Sequence, residues 1–119
     1  MDTPLPRIAL IVAALAVAAA AGPPTAHPAA TGDSNNGKAR YEQYCVVCHG
    51  PRGLGDGPMA KATNPPATRL TTTEIRNKTD QDLLAVIADG KGGIMPAWRG
   101  ILTEQELQDV VAYVRTLDQ

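Results

Sequence analysis

The sequence predicts an all-α fold, a single small domain of three to four helices. Apolar residues recur at helical spacing in three stretches, which follow Asn36, Thr79 and Thr103. No alternation of apolar and polar residues typical of a β-strand stands out, and no internal repeat is visible. A chain of 119 residues is long enough for one such domain and not for two.

The N-terminal segment predicts export. Arg7 follows the free amine, residues 8–22 are almost wholly apolar, and the alanines at 19–21 offer small side chains for cleavage, so we interpret residues 1–21 as a signal peptide. An uncleaved anchor is the alternative, although this apolar run as a helix would span roughly 22 Å, short of the ~30 Å hydrocarbon core. Residues 22–35 are rich in Pro, Ala and Thr and predict a flexible leader, in which His27 is a solvated histidine.

The predicted domain covers residues 36–119 and begins with a helix whose N-cap is Asn36. Glycine lowers helix propensity, so Gly37 suggests that another helix approaches closely at this position. Helical spacing places five residues on one face of this first helix: Gly37, Tyr41, Tyr44, Cys45 and Cys48.

That face leads into a Cys-x-x-Cys-His motif at residues 45–49, which is typical of covalent attachment of a c-type haem. Side chains three and four positions apart share one side of a helical turn. Cys45 and Cys48 can therefore form thioethers with the two vinyl groups, while His49 points its ring at the iron. Export agrees with this, because c-type haem is attached outside the bacterial cytoplasm.

Three other interpretations of the motif are weaker. A thioredoxin-like redox pair requires βαβ surroundings, whereas the neighbouring patterns are helical. A tetrahedral zinc site needs four ligands, and the only other histidine, His27, lies far upstream in the leader. A structural disulfide is possible in an exported protein, but it leaves His49 without a role.

The middle of the chain predicts loops. Residues 50–58 are rich in glycine, and we expect their bare backbone to wrap tightly around the haem edge. A phosphate-binding loop is disfavoured, because no preceding strand and no lysine-serine pair accompany these glycines. Asn64, Pro65 and Pro66 then continue an extended segment towards Leu70.

Capping boxes mark the two remaining helices. Thr79 with Asp82 starts one helix, which Gly90 ends, and Thr103 with Glu106 starts the last. Leu102 and Leu107 can form a hydrophobic staple at that second start. The last helix buries a stripe with Tyr113 beside it: Leu107, Val110, Val111, Val114 and Leu117.

Methionine is the natural candidate for the sixth iron ligand. Met1 would leave with the signal peptide, and Met59 follows His49 by only ten residues, in the loop expected on the proximal side. Met95 lies on a later loop flanked by glycines, with enough chain before it to reach the opposite face, and Pro96 stiffens it. A Met ligand would raise the reduction potential relative to two histidines.

Together these residues resemble a bacterial class I cytochrome c. The resemblance covers residues 36–117 and rests on five stretches: Gly37-x-x-x-Tyr41-x-x-x-Cys45-Val46-Val47-Cys48-His49-Gly50, Gly53-x-Gly55-Asp56-Gly57-Pro58, Asn64-Pro65-Pro66 with Leu70, Gly93-Ile94-Met95-Pro96-Ala97-Trp98, and Val110-Val111-Ala112-Tyr113-Val114.

The resemblance implies a small cytochrome c fold, wrapped around one covalent haem, in which the first and last helices cross. Gly37 and Tyr41 would there meet Val110 and Tyr113. It also implies His49 and Met95 as axial ligands, and a proline carbonyl on the ring N–H of His49. That proline would be Pro58, Pro65 or Pro66.

The propionates of such a haem need polar partners. Trp98 and the nearby arginines, Arg69 and Arg99, are candidates to hold them. A packed tryptophan and solvated charges are the plainer interpretations of these side chains.

The functional prediction is a periplasmic one-electron carrier. A net charge of −1 suggests no nucleic-acid partner, and only four lysines are present, so the dense basic ring of mitochondrial carriers is absent. We expect redox proteins as partners, a monomer, and no stable membrane insertion unless the signal is uncleaved. The alternatives are a haem subunit of a larger oxidoreductase and a haem enzyme or gas sensor with an open iron face.

Overall fold

The computed structural model describes Met1 and residues 32–117, and the secondary structure of that part is helical. Within it the only β-type pairing is an isolated bridge between Lys91 and Met95. This confirms the all-α prediction. Five α-helices and one 3-10 turn follow in order: α1 Ser34–Tyr44, α2 Val46–His49, the turn Ala60–Ala62, α3 Thr73–Asn77, α4 Asp80–Asp89 and α5 Glu104–Val114.

The predicted signal peptide, apart from Met1, and residues 22–31 of the predicted leader lie outside the described residues. Within the described part, no helix combines the length and the apolar character needed to cross a membrane. The first helix was predicted to continue through Cys48, but it is interrupted at Cys45 and resumes as α2. The short helix α3 was not predicted, because helical periodicity cannot be recognised over five residues.

Helix α1 begins earlier than predicted, and Asn36 is not its N-cap. The cap is Asp33, whose backbone is extended and whose carboxylate accepts hydrogen bonds from the amides of Asn35 at 2.8 Å and Asn36 at 3.3 Å. The Asn36 side chain instead donates to the carboxylate of Asp109 on α5. The sequence contained two good capping residues three positions apart, and a tertiary partner decided between them.

The first and last helices cross as expected, with glycine at the closest approach. A Cβ atom on Gly37 would lie 1.9 Å from the carbonyl oxygen of Asp109 and 3.0 Å from the Cβ of Tyr113. The rings of Tyr41 and Tyr113 stand 5.1 Å apart between centroids and are tilted by 60°. The residue beneath Gly37 is therefore Asp109, whereas Val110 lies in the buried cluster with Tyr41.

Asp109 is the one charged side chain buried among the described residues, with 2 % of its surface exposed. Its carboxylate accepts hydrogen bonds from the Asp33 amide at 2.7 Å, the Gln105 side chain at 2.9 Å and the Asn36 side chain. Burial raises the pKa of this carboxyl group, but these hydrogen bonds more than offset it and hold the pKa below its ordinary value. The ionised Asp109 thus ties the start of α1 to α5.

The predicted caps of α4 and α5 are confirmed. Both helices begin with a reciprocal capping box, Thr79 with Asp82 and Thr103 with Glu106, and Gly90 is the C-cap of α4. Leu102 and Leu107, the predicted staple, are both buried in the main core cluster. The predicted stripe of α5 is also confirmed, since four of its residues are buried and Leu117 packs against them: Leu107, Val110, Val111 and Val114.

Arg115, the C-cap residue of α5, joins that helix to α3 and α4. Its guanidinium donates to the Asp80 carboxylate at 2.8 Å and to the carbonyls of Ile75 at 3.2 Å and Lys78 at 2.5 Å. The carbonyl groups at the end of α3 thereby gain a side-chain donor. The core consequently extends from the α1–α5 crossing to Ile75 and Leu83, which pack around Val111.

Gly37→Ala tests this crossing. Even one methyl group would meet the Asp109 carbonyl, so we expect the free energy of unfolding to fall by about 2 kcal/mol or more, although alanine is the better helix former. Denaturant unfolding of the purified protein would measure the change. Gly100→Ala is the matched control, because a Cβ atom there meets nothing within 4 Å. Equal stability of the two variants would contradict close helix contact at Gly37.

Candidate functional site

The Cys-x-x-Cys-His motif lies on one tight helical turn. Cys45 is both the C-cap of α1 and the residue that precedes α2, and its carbonyl accepts from the amides of Cys48 at 3.2 Å and His49 at 2.9 Å. Residues at this spacing share one side of the turn. The backbone therefore has the form that the sequence predicted for the motif.

The glycine-rich loop after the motif caps the end of α2. A helix leaves its last four carbonyl groups without intrahelical partners, and in a four-residue helix that is every carbonyl. Here each carbonyl has an amide partner from residues 50–59: Gly50 on Val46 at 2.9 Å, Met59 on Val47 at 2.8 Å, Gly57 on Cys48 at 3.1 Å, and Gly55 on His49 at 2.9 Å. The structure thus shows the loop wrapped around the end of α2, and its expected place at a haem edge stays a prediction.

Two glycines in this loop are needed for different physical reasons. Gly57 packs directly on the backbone of α2, where a Cβ atom would lie 2.4 Å from the Val46 carbonyl and 2.5 Å from that of Val47. Gly55 has a φ of +72°, and a Cβ atom there would lie 2.7 Å from the carbonyl of Ala67. The loop is therefore pressed against α2 on one side and against residues 67–70 on the other.

The ring of His49 is oriented by a main-chain carbonyl that sequence reasoning did not identify. Its Nδ1 lies 2.9 Å from the carbonyl oxygen of Thr68. The expectation of a proline carbonyl, from Pro58, Pro65 or Pro66, was wrong. The extended segment is anchored two residues later, where the Leu70 amide donates to the Gly53 carbonyl at 2.7 Å, and this register brings Thr68 to the ring.

This contact determines the state of the imidazole. A carbonyl oxygen only accepts, so Nδ1 carries a proton, and in the neutral ring the lone pair therefore lies on Nε2. Burial lowers the pKa of His49, while the hydrogen bond to Thr68 acts in the opposite direction and only partly offsets it. A neutral imidazole with an available Nε2 is the form that binds a metal ion.

The two cysteines are free and half-buried in the structure. Burial, with a smaller contribution from Cys48, raises the pKa of the Cys45 thiol to about 11. Reactive redox pairs have lowered thiol pKa values, so the environment of Cys45 disfavours the thioredoxin-like interpretation. Among the residues that the structure describes, no group of three His, Cys, Asp or Glu side chains is placed so that it could hold a metal ion.

The loop that carries Met95 is attached to the end of α4. Lys91 and Met95 exchange two backbone hydrogen bonds of 3.1 Å, and the Trp98 amide donates to the Ile87 carbonyl at 3.1 Å. A Cβ atom on Gly90 would lie 2.5 Å from the Met95 carbonyl, so the C-cap glycine allows this close contact. Met95 is half-buried, whereas 48 % of Met59 is exposed.

The other predicted site residues have local partners. Trp98 is half-buried and packs on Tyr44, with ring centroids 5.2 Å apart, directly before the motif. The Arg69 guanidinium donates to the Thr71 hydroxyl at 3.0 Å, and that of Arg99 donates to the Asp89 carboxylate at 3.0 Å. A role for Trp98 and Arg69 in holding propionates stays a prediction.

An α-helical fold with a capped Cys-x-x-Cys-His turn and a histidine oriented by a main-chain carbonyl is typical of c-type cytochromes. Residues 32–114 match the family described as cytochrome C oxidase, cbb3-type, subunit III, and the chain belongs to this family of cytochrome c domains. Membership of this family makes it an electron-transfer haem protein.

Two kinds of protein are similar to this chain in sequence. Cytochrome c55X of Paracoccus denitrificans is 34 % identical over 114 residues, which cover 91 % of this chain and 92 % of that protein. The cbb3-type cytochrome c oxidase subunit FixP of Bradyrhizobium diazoefficiens is 31 % identical over 86 residues, 71 % of this chain. The chain spans only 28 % of the length of FixP.

A solved structure shows the same fold. The c-type cytochrome KustC0563 superposes with a TM-score of 0.57 at 25 % sequence identity. The match covers 70 % of this chain and 98 % of KustC0563.

Gly57→Ala tests the capping of α2. A methyl group cannot fit between the loop and the Val46 and Val47 carbonyls, so we expect a loss of about 1–3 kcal/mol in the free energy of unfolding. Hydrogen exchange should also quicken at the amides of Gly55 and Met59, which cap the same helix. Gly100→Ala is again the control, and unchanged exchange at both amides would show that the loop does not depend on this contact.

Proposed function

We propose that this chain is an exported one-electron carrier that holds one covalent c-type haem with His49 and Met95 as axial ligands. The observation that carries the proposal is the His49 ring, whose Nδ1 donates to the Thr68 carbonyl at 2.9 Å, on the same helical turn as Cys45 and Cys48. Bound there, the haem supplies reversible exchange of one electron at its iron.

Cys45 and the residues of α2 fit the attachment of the porphyrin. Cys45 and Cys48 supply two thiols for thioether bonds, and His49 presents Nε2 as a ligand. The Thr68 carbonyl would fix the ring plane and increase the electron donation of the imidazole. Tyr44 directly before the motif, Val46 within it and Leu70 are half-buried apolar side chains packed on the main core, an environment suited to an apolar macrocycle.

Met95 is proposed as the second axial ligand. Its backbone is held by the Lys91 pairing and by the close contact with Gly90, so its position is determined by α4 and not by a loose loop. A soft thioether favours the reduced iron and closes the face at which small molecules would bind. Trp98, on the same loop, and Arg69 would hold the propionates.

A free periplasmic carrier is the form that we favour. The match to cytochrome c55X extends over 92 % of that protein, and the match to KustC0563 extends over 98 % of that chain. Export follows from the predicted signal at residues 1–21. Redox proteins would be the partners of a monomer whose net charge is −1, and no nucleic acid is expected.

The second candidate is a haem subunit of a larger oxidoreductase. It is supported by the resemblance to FixP, which is an oxidase subunit and of which this chain spans 28 %. A stable complex of fixed stoichiometry on purification would favour this candidate, whereas isolation of the haem protein alone would favour the carrier.

Haem attachment is tested by replacing both cysteines. Expressed with haem-maturation machinery, the wild-type chain should retain one haem through acid-acetone extraction, because thioether bonds survive that treatment. Cys45→Ala with Cys48→Ala should release it. Met59→Ala is the control and should retain haem as the wild type does. Extraction of haem from the wild-type chain would rule out covalent attachment.

The sixth ligand is tested by Met95→Ala. Wild type should be low-spin and should bind CO poorly when reduced, because the thioether occupies the iron. The variant should become high-spin, bind CO readily and have a lower reduction potential, since the soft ligand is lost. Absorption spectra and a redox titration measure these changes, and Met59→Ala should leave them unchanged. If wild type binds CO as fast as Met95→Ala, an open-site enzyme or gas sensor replaces the carrier.

A further inference from the structure

Tyr41 connects the helix crossing to the end of the motif helix. Only 1 % of the side chain is exposed, and its ring packs on Tyr113 where α1 meets α5. Its hydroxyl donates a hydrogen bond of 2.6 Å to the carbonyl oxygen of Gly50, the residue directly after His49. One side chain therefore contacts both the core and the point where the chain leaves α2.

Gly50 is held from several directions. Its φ is +78°, and its amide donates to the Val46 carbonyl at 2.9 Å. Its carbonyl accepts from Tyr41 and also, at 3.2 Å, from the amide of Gly53. Both Gly50 and Gly53 are buried, so loss of the phenolic donor would leave the Gly50 carbonyl with the longer bond alone, in a site shielded from water.

The same loop carries the carbonyl that orients His49. Gly53, which donates to Gly50, accepts at 2.7 Å from the amide of Leu70. Thr68 lies two residues before Leu70, and its carbonyl is 2.9 Å from Nδ1 of His49. A continuous series of hydrogen bonds thus leads from the Tyr41 hydroxyl through Gly50, Gly53 and Leu70 to the segment beside the imidazole.

We propose that the Tyr41 hydroxyl is a positioning group for the proximal ligand: it holds the loop that places the Thr68 carbonyl on His49, and so influences ring orientation and electron donation to the iron. This rests on the proposed ligation of haem by His49. Burial raises the pKa of Tyr41 well above its ordinary value, so the hydroxyl remains protonated and donates across the whole working pH range.

Tyr41→Phe separates this role from packing, because it keeps the ring and removes the hydroxyl. The matched control is Tyr113→Phe, which alters the other ring of the same pair; its hydroxyl has no hydrogen bond within residues 32–117. In the haem-loaded protein, Tyr41→Phe should shift the hyperfine-shifted NMR signals of the His49 ring and the haem methyl groups, and should move the reduction potential. Tyr113→Phe should leave both unchanged.

Hydrogen exchange gives a readout that does not depend on the iron. Loss of one buried hydrogen bond should quicken exchange at the Gly53 and Leu70 amides by about tenfold in Tyr41→Phe. Wild-type hyperfine shifts together with wild-type exchange in this variant would overturn the proposal. Equal changes in both variants would also overturn it, since they would indicate ring packing alone.

A measurement on the wild-type protein covers the case in which Tyr41→Phe does not fold. A buried hydroxyl that donates to Gly50 should give a slowly exchanging phenolic proton, whereas those of Tyr44 and Tyr113 should exchange rapidly. Absence of a slow Tyr41 proton would overturn the proposal. Failure of the haem proposal is recognised separately, because it would appear in the wild type as a chain without covalent haem.

Discussion

The structure depends on the capping of a four-residue helix. Helix α2 leaves each of its carbonyls without an intrahelical partner, and so short a helix has no stability of its own. Amides of Gly50, Gly55, Gly57 and Met59 satisfy those carbonyls. A chain that folds back so tightly needs residues without side chains, and this accounts for the glycines after the motif.

The crossing of α1 and α5 also stabilises the position of α2 and its motif. Helix α1 ends at Tyr44, and only Cys45 separates it from α2. The contacts that fix the position of α1 therefore also fix the position of the motif. Gly37 allows close backbone contact with Asp109, and the buried Asp109 carboxylate secures the first turn of α1. Replacing Gly37 or Asp109 should therefore disturb the motif, although both residues lie outside it.

The same site geometry suits a free carrier and a subunit of a larger assembly. The Thr68 carbonyl and the Tyr41 hydroxyl make their hydrogen bonds within the domain. A fold does not by itself determine function, and one such domain can form a whole small protein or part of a longer chain. The matches to cytochrome c55X and to a segment of FixP illustrate both possibilities.

The sequence by itself determined the local features: the helical class, the capping boxes at Thr79 and Thr103, the buried stripe of α5 and the Cys-x-x-Cys-His turn. Each of these features depends on residues a few positions apart, so spacing and capping chemistry alone predict it. Only the tertiary structure decided that Asp33 and not Asn36 caps α1, that Asp109 lies beneath Gly37, and that Thr68 and not a proline meets His49. Those outcomes depend on which of several equally suitable groups the folded chain brings within hydrogen-bonding distance, and that distance is a property of packing between segments far apart in sequence.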